Sequence, residues 1–359
     1  MRRRQFIKQS VIIGAASAYP FICKSAIPKK KLGVALVGLG SYSTGQLAPA
    51  LQKTRFCELV GIVTGSPEKI PRWQRQYKIK DANVYNYENM HRIADNKNID
   101  VIYIVVPTGL HMKYSVIAAN AGKHVWCEKP MAMTEEECQT IIDTCNANKV
   151  KLSIGYRMQH EKNTKRIIEF TKNQSFGKIE SVIAEAGYRG GGGTGWRFQK
   201  AMGGGAMYDM GVYTVNGARY ATQMEPLEIS AQHILNRPEL FKEVDETTKF
   251  TMRFPDGVEA LCRTSVGESF NQLKVNASVG WYELSPMQSY DGVAGSTSDG
   301  RILSAMEEDQ QVVQMDDNAR AILKDMDVLV PGEEGLKDIR IVEAAFQSAA
   351  NNGEWIRLQ

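Results

Sequence analysis

The sequence predicts two domains: an α/β domain on a doubly wound parallel sheet, then an α+β domain with a mostly antiparallel open sheet. Three observations carry this. Up to about residue 155, continuous apolar runs alternate with helical stretches, the pattern of strands buried on both faces of a parallel sheet. After Tyr156, strand-like stretches follow one another, and Pro255-Asp256-Gly257 is a hairpin turn. At 359 residues the chain exceeds one average domain.

The first domain is expected over residues 32–155. Residues 32–37 form an apolar strand closed by Gly38-Leu39-Gly40, and residues 46–52 a helix. Residues 58–64 are a second buried strand, and Pro67 opens a helix bearing Lys69, Arg72 and Trp73. Residues 101–106 form a third strand ended by Pro107, followed by a helix at 114–121 and a short strand at 124–127. Thr134 caps the next helix with Glu137 at the capping-box position, and residues 150–154 are the last strand. The second domain is expected over residues 156–332, with a helix near 162–172 and strands at 179–188, 227–235, 248–254, 258–266 and 272–284. Within it, Gly203-Gly204-Gly205 opens a helix containing Asp209, Tyr213 and Asn216. A helix over 335–350, within a last segment 333–359, returns to the first domain.

Residues 1–26 read as an export signal. Arg2-Arg3-Arg4-Gln5-Phe6-Ile7-Lys8 precedes a charge-free stretch from Ser10 to Cys23, with small residues near Ala18 and Ala26. That stretch is short of the roughly 20 residues a transmembrane helix needs. Paired arginines before phenylalanine and lysine resemble a twin-arginine signal, so a periplasmic location without stable membrane insertion is expected. An ordinary signal peptide or an uncleaved anchor stays open.

Charge is balanced, 44 basic against 40 acidic residues, and the basic ones are scattered beyond the N-terminus, which argues against a nucleic-acid partner. Six cysteines occur without any Cys-x-x-Cys, and His111, His124 and Cys127 lack metal-site spacing. They are read as core cysteines, with no metal expected.

The glycine turn is the first chemical signal. Gly38 and Gly40 let the backbone turn tightly and approach a pyrophosphate at the start of a helix. Ser43 stands at the third fingerprint position, where Gly or Ala is usual. The second strand ends Val63-Thr64-Gly65-Ser66, without the acid that holds a ribose 2′-hydroxyl in an NAD site. Ser66, Lys69 and Arg72 would instead hold a 2′-phosphate, which makes NADP the expected cofactor; otherwise they are a solvated helix face. Lys129 ends a later strand of the sheet in Glu128-Lys129-Pro130. It is either a proton-transfer group at the ligand-binding edge or a surface lysine beside a rigid proline. Asp209 and Tyr213, four apart on one helix face, fit either a sugar hydroxyl with proton transfer or a structural contact. Arg157 and Trp196-Arg197 either line a sugar site or brace the domain junction.

These segments, with Gly122-Lys123-His124-Val125-Trp126-Cys127-Glu128-Lys129-Pro130-Met131-Ala132, Ile154-Gly155-Tyr156-Arg157, Asn216-Gly217-Ala218-Arg219-Tyr220 and Pro331-Gly332-Glu333-Glu334-Gly335, resemble the Gfo/Idh/MocA family of oxidoreductases. Glu-Lys-Pro marks the broad family. Tyr213, where many relatives carry histidine, together with Asn-Gly-x-Arg-Tyr, points to its glucose–fructose oxidoreductase group. The resemblance implies a Rossmann first domain and Lys129, Asp209 and Tyr213 as the catalytic set, with Tyr213 the proton acceptor. It implies a cofactor site using Gly38, Gly40, Ser41, Tyr42, Ser66, Lys69 and Arg72 at the first two strand ends. Pro107, His111, Glu128 and Lys129 would extend it, with Arg157, Trp196 and Arg197. Lys129, Tyr156, Arg157, Asp209 and Tyr213 would bind the sugar.

The expected activity is oxidation of a cyclic aldose at C1 to a lactone. The hydride passes through a tightly held NADP to a second carbonyl sugar, in a homodimer or homotetramer. The segment 27–32 is much shorter than the arm that covers the cofactor in the best-known relative. The rival readings are a nicotinamide-dependent glycosidase with transient oxidation and a non-catalytic sugar- or redox-sensing protein.

Overall fold

The structure is a computed structural model that describes residues 31–190, 195–290, 292–305 and 307–358. The expected export signal, and residues 191–194 of the glycine-rich loop, lie outside the described residues.

Six parallel strands build the first sheet: β1 (Leu32–Val37), β2 (Cys57–Val63), β3 (Val84–Tyr85), β4 (Val101–Ile104), β5 (His124–Cys127) and β6 (Leu152–Ile154). Their spatial order is β3-β2-β1-β4-β5-β6. All pairings are parallel, so the chain crosses over from β3 to β4 and reverses direction between β1 and β4. That reversal opens a crevice at the carboxyl ends of β1 and β4, the ligand position of doubly wound sheets. Helices α1 (Ala48–Leu51), α2 (Ile70–Tyr77), α3 (His111–Asn120) and α4 (Glu135–Ala147) fill the connections. Every residue of β1 and β4 is buried, as strands covered on both faces must be. Thr134 Oγ1 caps α4 by accepting from Glu137 N at 3.1 Å. Glu137 Oε2 reaches one residue further back, to Met133 N at 2.9 Å, so the reciprocal bond lies outside the box's usual frame.

The second sheet has nine strands: β7 (Ile179–Gly187), β8 (Glu228–Ile234), β9 (Thr247–Arg253), β10 (Glu259–Ser265), β11 (Phe270–Ala277), β12 (Gly280–Leu284), β13 (Gly295–Thr297), β14 (Ile302–Leu303) and β15 (Ile356–Arg357). Its order is β14-β13-β12-β11-β7-β10-β9-β8-β15, antiparallel except for β7 with β10. The single strand expected over 272–284 is two, β11 and β12, joined by a tight turn at Ser278-Val279. One face of this sheet carries α5 (Lys162–Lys172) and α6 (Val212–Thr222).

Two later helices tie the halves together. α7 (Gln310–Leu323), unread in the sequence, puts Met315 and Ala319 into the cluster of Leu36, Ile62 and Tyr103 behind the first sheet. α8 (Gly332–Ala350) packs on α4 and β6 on one side and on β8 on the other. Its Ile339 and Val342 join a core running from Ile104 and Ile154 through to Ala184 and Met252. Each such fully buried aliphatic contributes about 1.5–3 kcal/mol. An ion network around the buried Arg219 adds direction: Arg219 on α6 is bonded to Glu225 and, on α8, to Glu334 and Asp338. Asp338 also accepts from Asn216, one turn beyond Tyr213. The helix that carries Tyr213 is thereby fixed to α8.

Among the described residues no helix is long and apolar enough to cross a membrane. The five described cysteines are buried thiols, and burial pushes the Cys57 thiol up to about 12, far from reactive.

Candidate active site

A cleft of about 630 Å³ opens where the carboxyl ends of β1, β2, β4 and β5 meet α6 and β7. Its floor begins at the glycine turn. Gly38 has φ +93, and a Cβ there would stand 2.6 Å from the Val105 carbonyl oxygen, so glycine is required by the protein itself. Gly40 is different. It is exposed, its φ lies outside the left-handed region, and a Cβ there would meet nothing within 4 Å. The protein leaves that space open, which fits close approach of a ligand's phosphates. The next turn, Ser41 and Tyr42 leading into the π-helical Ser43–Leu47, also lines the cleft. The first amides of a helix lack intrahelical acceptors and suit a pyrophosphate. Ser43 explains its own departure from the fingerprint: its side chain is fully buried and donates to the Gly38 carbonyl at 2.6 Å, bracing the turn. These residues fit a dinucleotide.

At the end of β2, Thr64, Ser66 and Lys69 line the cleft. Lys69 Nζ donates to the Leu39 carbonyl at 3.0 Å, folding back over the glycine turn, and among the described residues no carboxylate lines this end. Arg72 is exposed on α2 and is not among the lining residues. Pro107 and His111 line the cleft from the β4 side. Both His111 nitrogens face carbonyls, Pro130 O at 2.8 Å and Val106 O at 2.8 Å, so the ring braces the two loops beside Lys129. Burial lowers its pKa.

Glu128 is buried and accepts from Tyr103 Oη at 2.6 Å, while Gln314 of α7 donates to the same phenol at 2.8 Å. Burial raises the Glu128 pKa against the pull of Tyr103 and Lys129. This buried chain fixes the backbone from which Lys129 projects.

Lys129, Asp209 and Tyr213 come together. Lys129 Nζ donates to the Asp209 carbonyl oxygen at 2.7 Å, stands 3.9 Å from its Oδ1, and lies 4.5 Å from the Tyr213 ring centroid. Asp209 sits on a π-helical turn, Met207–Gly211, that runs into α6; such turns recur at functional sites. Its Oδ2 accepts from Tyr188 Oη at 2.7 Å and from Arg197 Nε at 2.9 Å. Burial alone would raise the Asp209 pKa, but the Lys129 and Arg197 charges and these bonds hold it below the usual range, as a carboxylate. Burial and that carboxylate push the Tyr188 phenol up, so Tyr188 stays a donor. Arg197 also lies 4.5 Å over the Trp196 ring, and both residues line the cleft.

Besides Arg72, two expected ligand contacts are elsewhere. Tyr156 is 1% exposed in the hydrophobic core and neighbours Asp338, away from the cleft. Arg157 is 2% exposed beneath the cleft wall and is not among its lining residues. Its guanidinium bonds to neutral acceptors, Gln310 Oε1, Ser289 O at 3.1 Å and Gln288 Oε1 at 3.0 Å. The resemblance implies a ligand role for both, but their side chains turn inward, and Arg157 takes the other role its position allows, bracing the domain junction. In their place the structure supplies Tyr188, Gln288 and Tyr290, with Thr108 and Tyr87. Tyr188 carried a signal, since it ends the strand expected over 179–188. Gln288 and Tyr290 lie in an irregular loop and carried none.

Family profiles match both halves: "Oxidoreductase family, NAD-binding Rossmann fold" over residues 32–156 and "GFO/IDH/MocA C-terminal domain" over residues 164–283. The crystal structure of aldose-aldose oxidoreductase from Caulobacter crescentus, in complex with glycerol, is 33% identical with a TM-score of 0.88, covering 91% of this chain and 100% of that one. The D-xylose 1-dehydrogenase (NADP(+)) of Haloarcula marismortui is 26% identical over 339 residues, 88% of this chain and 90% of that protein. D-xylose 1-dehydrogenase (NADP(+)) 2 of Haloferax volcanii is 24% identical over 280 residues, 73% of this chain and 82% of that protein. With both domains matched and the cleft lying between the glycine turn of one and the Asp209 helix of the other, the chain belongs to the Gfo/Idh/MocA family of oxidoreductases.

Proposed function

We propose that the protein is an NADP-linked sugar oxidoreductase that oxidises a cyclic aldose at C1 to a lactone and returns the hydride to a second carbonyl sugar. The observation that carries the reading is the cluster of Lys129, Asp209 and Tyr213 in the same cleft as the Gly38–Gly40 turn. A nicotinamide cofactor supplies hydride acceptance and donation when bound. The chain's own residues do the rest. Tyr213 takes the proton of the anomeric hydroxyl in the first half-reaction and gives one back to the acceptor carbonyl oxygen in the second. Lys129, over the Tyr213 ring, stabilises negative charge developing on the phenol oxygen. Asp209 stays ionised, orients Lys129, and accepts hydrogen bonds that fix Tyr188 and Arg197 at the sugar end.

NADP is favoured because Ser66 and Lys69, with no carboxylate among the described residues, close the β2 end of the cleft. The similarity to an aldose-aldose oxidoreductase supports a sugar at both ends of the reaction. The similarity to two D-xylose 1-dehydrogenases favours a second reading, a one-sugar dehydrogenase that exchanges free NADP. We further propose export by the twin-arginine route, from Arg3-Arg4-x-Phe6, and a homo-oligomer. A recycling acceptor suits an exported enzyme, since no cytoplasmic NADP pool refreshes its cofactor.

The deciding experiment incubates purified protein with two sugars and no added cofactor, and follows lactone and alditol together. Equal, catalytic amounts of both support the proposal. Turnover only when free NADP is added supports the one-sugar dehydrogenase, and glycoside hydrolysis without net redox change supports the glycosidase.

A further inference from the structure

Residues 287–290 leave the end of β12 and reach across to the first domain. Asn271 of β11 fixes their base, its Oδ1 accepting from Met287 N at 2.9 Å and Gln288 N at 3.0 Å. Arg157 fixes their middle through Gln288 and Ser289. At the tip, the Tyr290 ring lies 4.7 Å from the Arg157 guanidinium carbon and 5.9 Å from the Tyr42 ring, at 30° to it. Tyr42 belongs to the helical turn just after Gly40, and both rings line the cleft. Arg157 in turn lies 5.7 Å from the Tyr213 ring. The two tyrosines therefore meet across the domain boundary, between the glycine turn and the Lys129–Tyr213 cluster.

Tyr290 is 52% exposed. Burial does not account for a large aromatic held there by a buried arginine and a second ring. The Arg157 cation, bonded to neutral acceptors below the cleft wall, is costly to bury, and its bonds divide between this loop and Gln310 of α7. We propose that Tyr290 and Tyr42 form an aromatic clasp that holds the dinucleotide in the cleft, so that cofactor release requires their contact to open. This rests on reading the cleft as a nicotinamide-cofactor site, and it supplies what the two-sugar reaction demands: a cofactor that outlasts departure of the first product.

The test uses the full chain loaded with NADPH. Loss of protein-bound NADPH fluorescence is followed after mixing with excess NADP. Tyr290→Ala speeds release about tenfold, the scale of a lost ring pair with its cation contact. Tyr290→Phe keeps the ring and stays within about threefold of wild type. Tyr42→Leu combined with Tyr290→Ala is no faster than the quicker single variant, because each alone opens the clasp. Circular dichroism checks folding, and Tyr290→Leu stands in if the alanine variant fails to fold. Wild-type protein that binds NADPH while Tyr290→Ala releases it at the wild-type rate overturns the clasp alone. So does a variant whose only change is a raised sugar KM, which would make Tyr290 a sugar contact. Wild-type protein that takes up no NADPH removes the cofactor reading and the clasp with it.

Discussion

Two glycines two residues apart should respond to alanine in opposite ways, and the contrast isolates the cofactor's footprint. At Gly38 the backbone sits at φ +93, and the added Cβ would lie 2.6 Å from the Val105 carbonyl oxygen. The left-handed conformation costs an L-residue about 1–2 kcal/mol, and forcing a methyl against backbone costs about 1–3 more. Gly38→Ala should therefore lose about 2–5 kcal/mol of unfolding free energy in urea without any ligand. At Gly40 nothing lies within 4 Å of the new Cβ. Gly40→Ala should fold as well as wild type, or gain about 0.4–1 kcal/mol from a less free unfolded chain. Its cost should appear only with ligand present, as a tenfold or greater rise in NADPH Kd, about 1.4 kcal/mol, because the methyl occupies space left for the phosphates. Paired urea melts and fluorescence titrations measure both. If Gly40→Ala binds NADPH within about threefold of wild type, at least 0.7 kcal/mol short of that expectation, the open space at Gly40 is not where the pyrophosphate lies.

Three further outcomes are expected. Tyr213→Phe keeps the ring beneath Lys129 and should lower single-turnover cofactor reduction by roughly 10²–10⁴ with NADP binding nearly intact; a loss within about threefold would move the base to Asp209 or Lys129. Ser66→Asp should shift preference from NADP toward NAD by placing a carboxylate at the β2 end, and wild-type protein that binds NAD at least as tightly as NADP would end that argument. Lysine at both Arg3 and Arg4 should leave the protein in the cytoplasm, and unchanged export, read by cell fractionation, would remove the twin-arginine assignment.

The first sheet was legible because its strands are covered on both faces. Residues 32–37, 101–104 and 125–127 are uninterrupted apolar runs, and the observed strands agree with the expected ones to within two residues. β3 escaped because Val84-Tyr85 is two half-buried residues with no run around them. α7 escaped for a different reason. Its polar residues are buried too: Gln310, Gln311, Gln314 and Asn318 all face inward, which masks the apolar spacing of Val312, Met315, Ala319 and Ile322. Those glutamines have work to do in the interior, Gln310 holding Arg157 and Gln314 holding Tyr103. The β11–β12 turn was hidden because the alternation carries on through Val279, a residue that is 75% exposed at its tip.

The same distinction governs the site. Lys129, Asp209 and the glycine turn stood out because each is tied to a local feature: a strand end, a helix start, a tight turn. Gln288 and Tyr290 act only through partners far away in the chain, Arg157 and Tyr42 respectively. Arg157 shows the converse. The family resemblance implies a ligand contact, yet its side chain is enclosed by Gln288, Ser289 and Gln310, with the Tyr213 and Tyr290 rings within 6 Å. A cation placed there still acts on the site, through the loop it anchors and the field it sets beside Tyr213. Lys129 and Arg157 flank that ring from the two domains, while the carboxylates nearby are already engaged: Asp209 by Lys129, Arg197 and Tyr188, and Glu128 by Tyr103. On the proposed reading, the two cations beside the ring stabilise charge that develops on the Tyr213 oxygen during proton transfer, and Asp209 is the anchor that keeps the lysine over it.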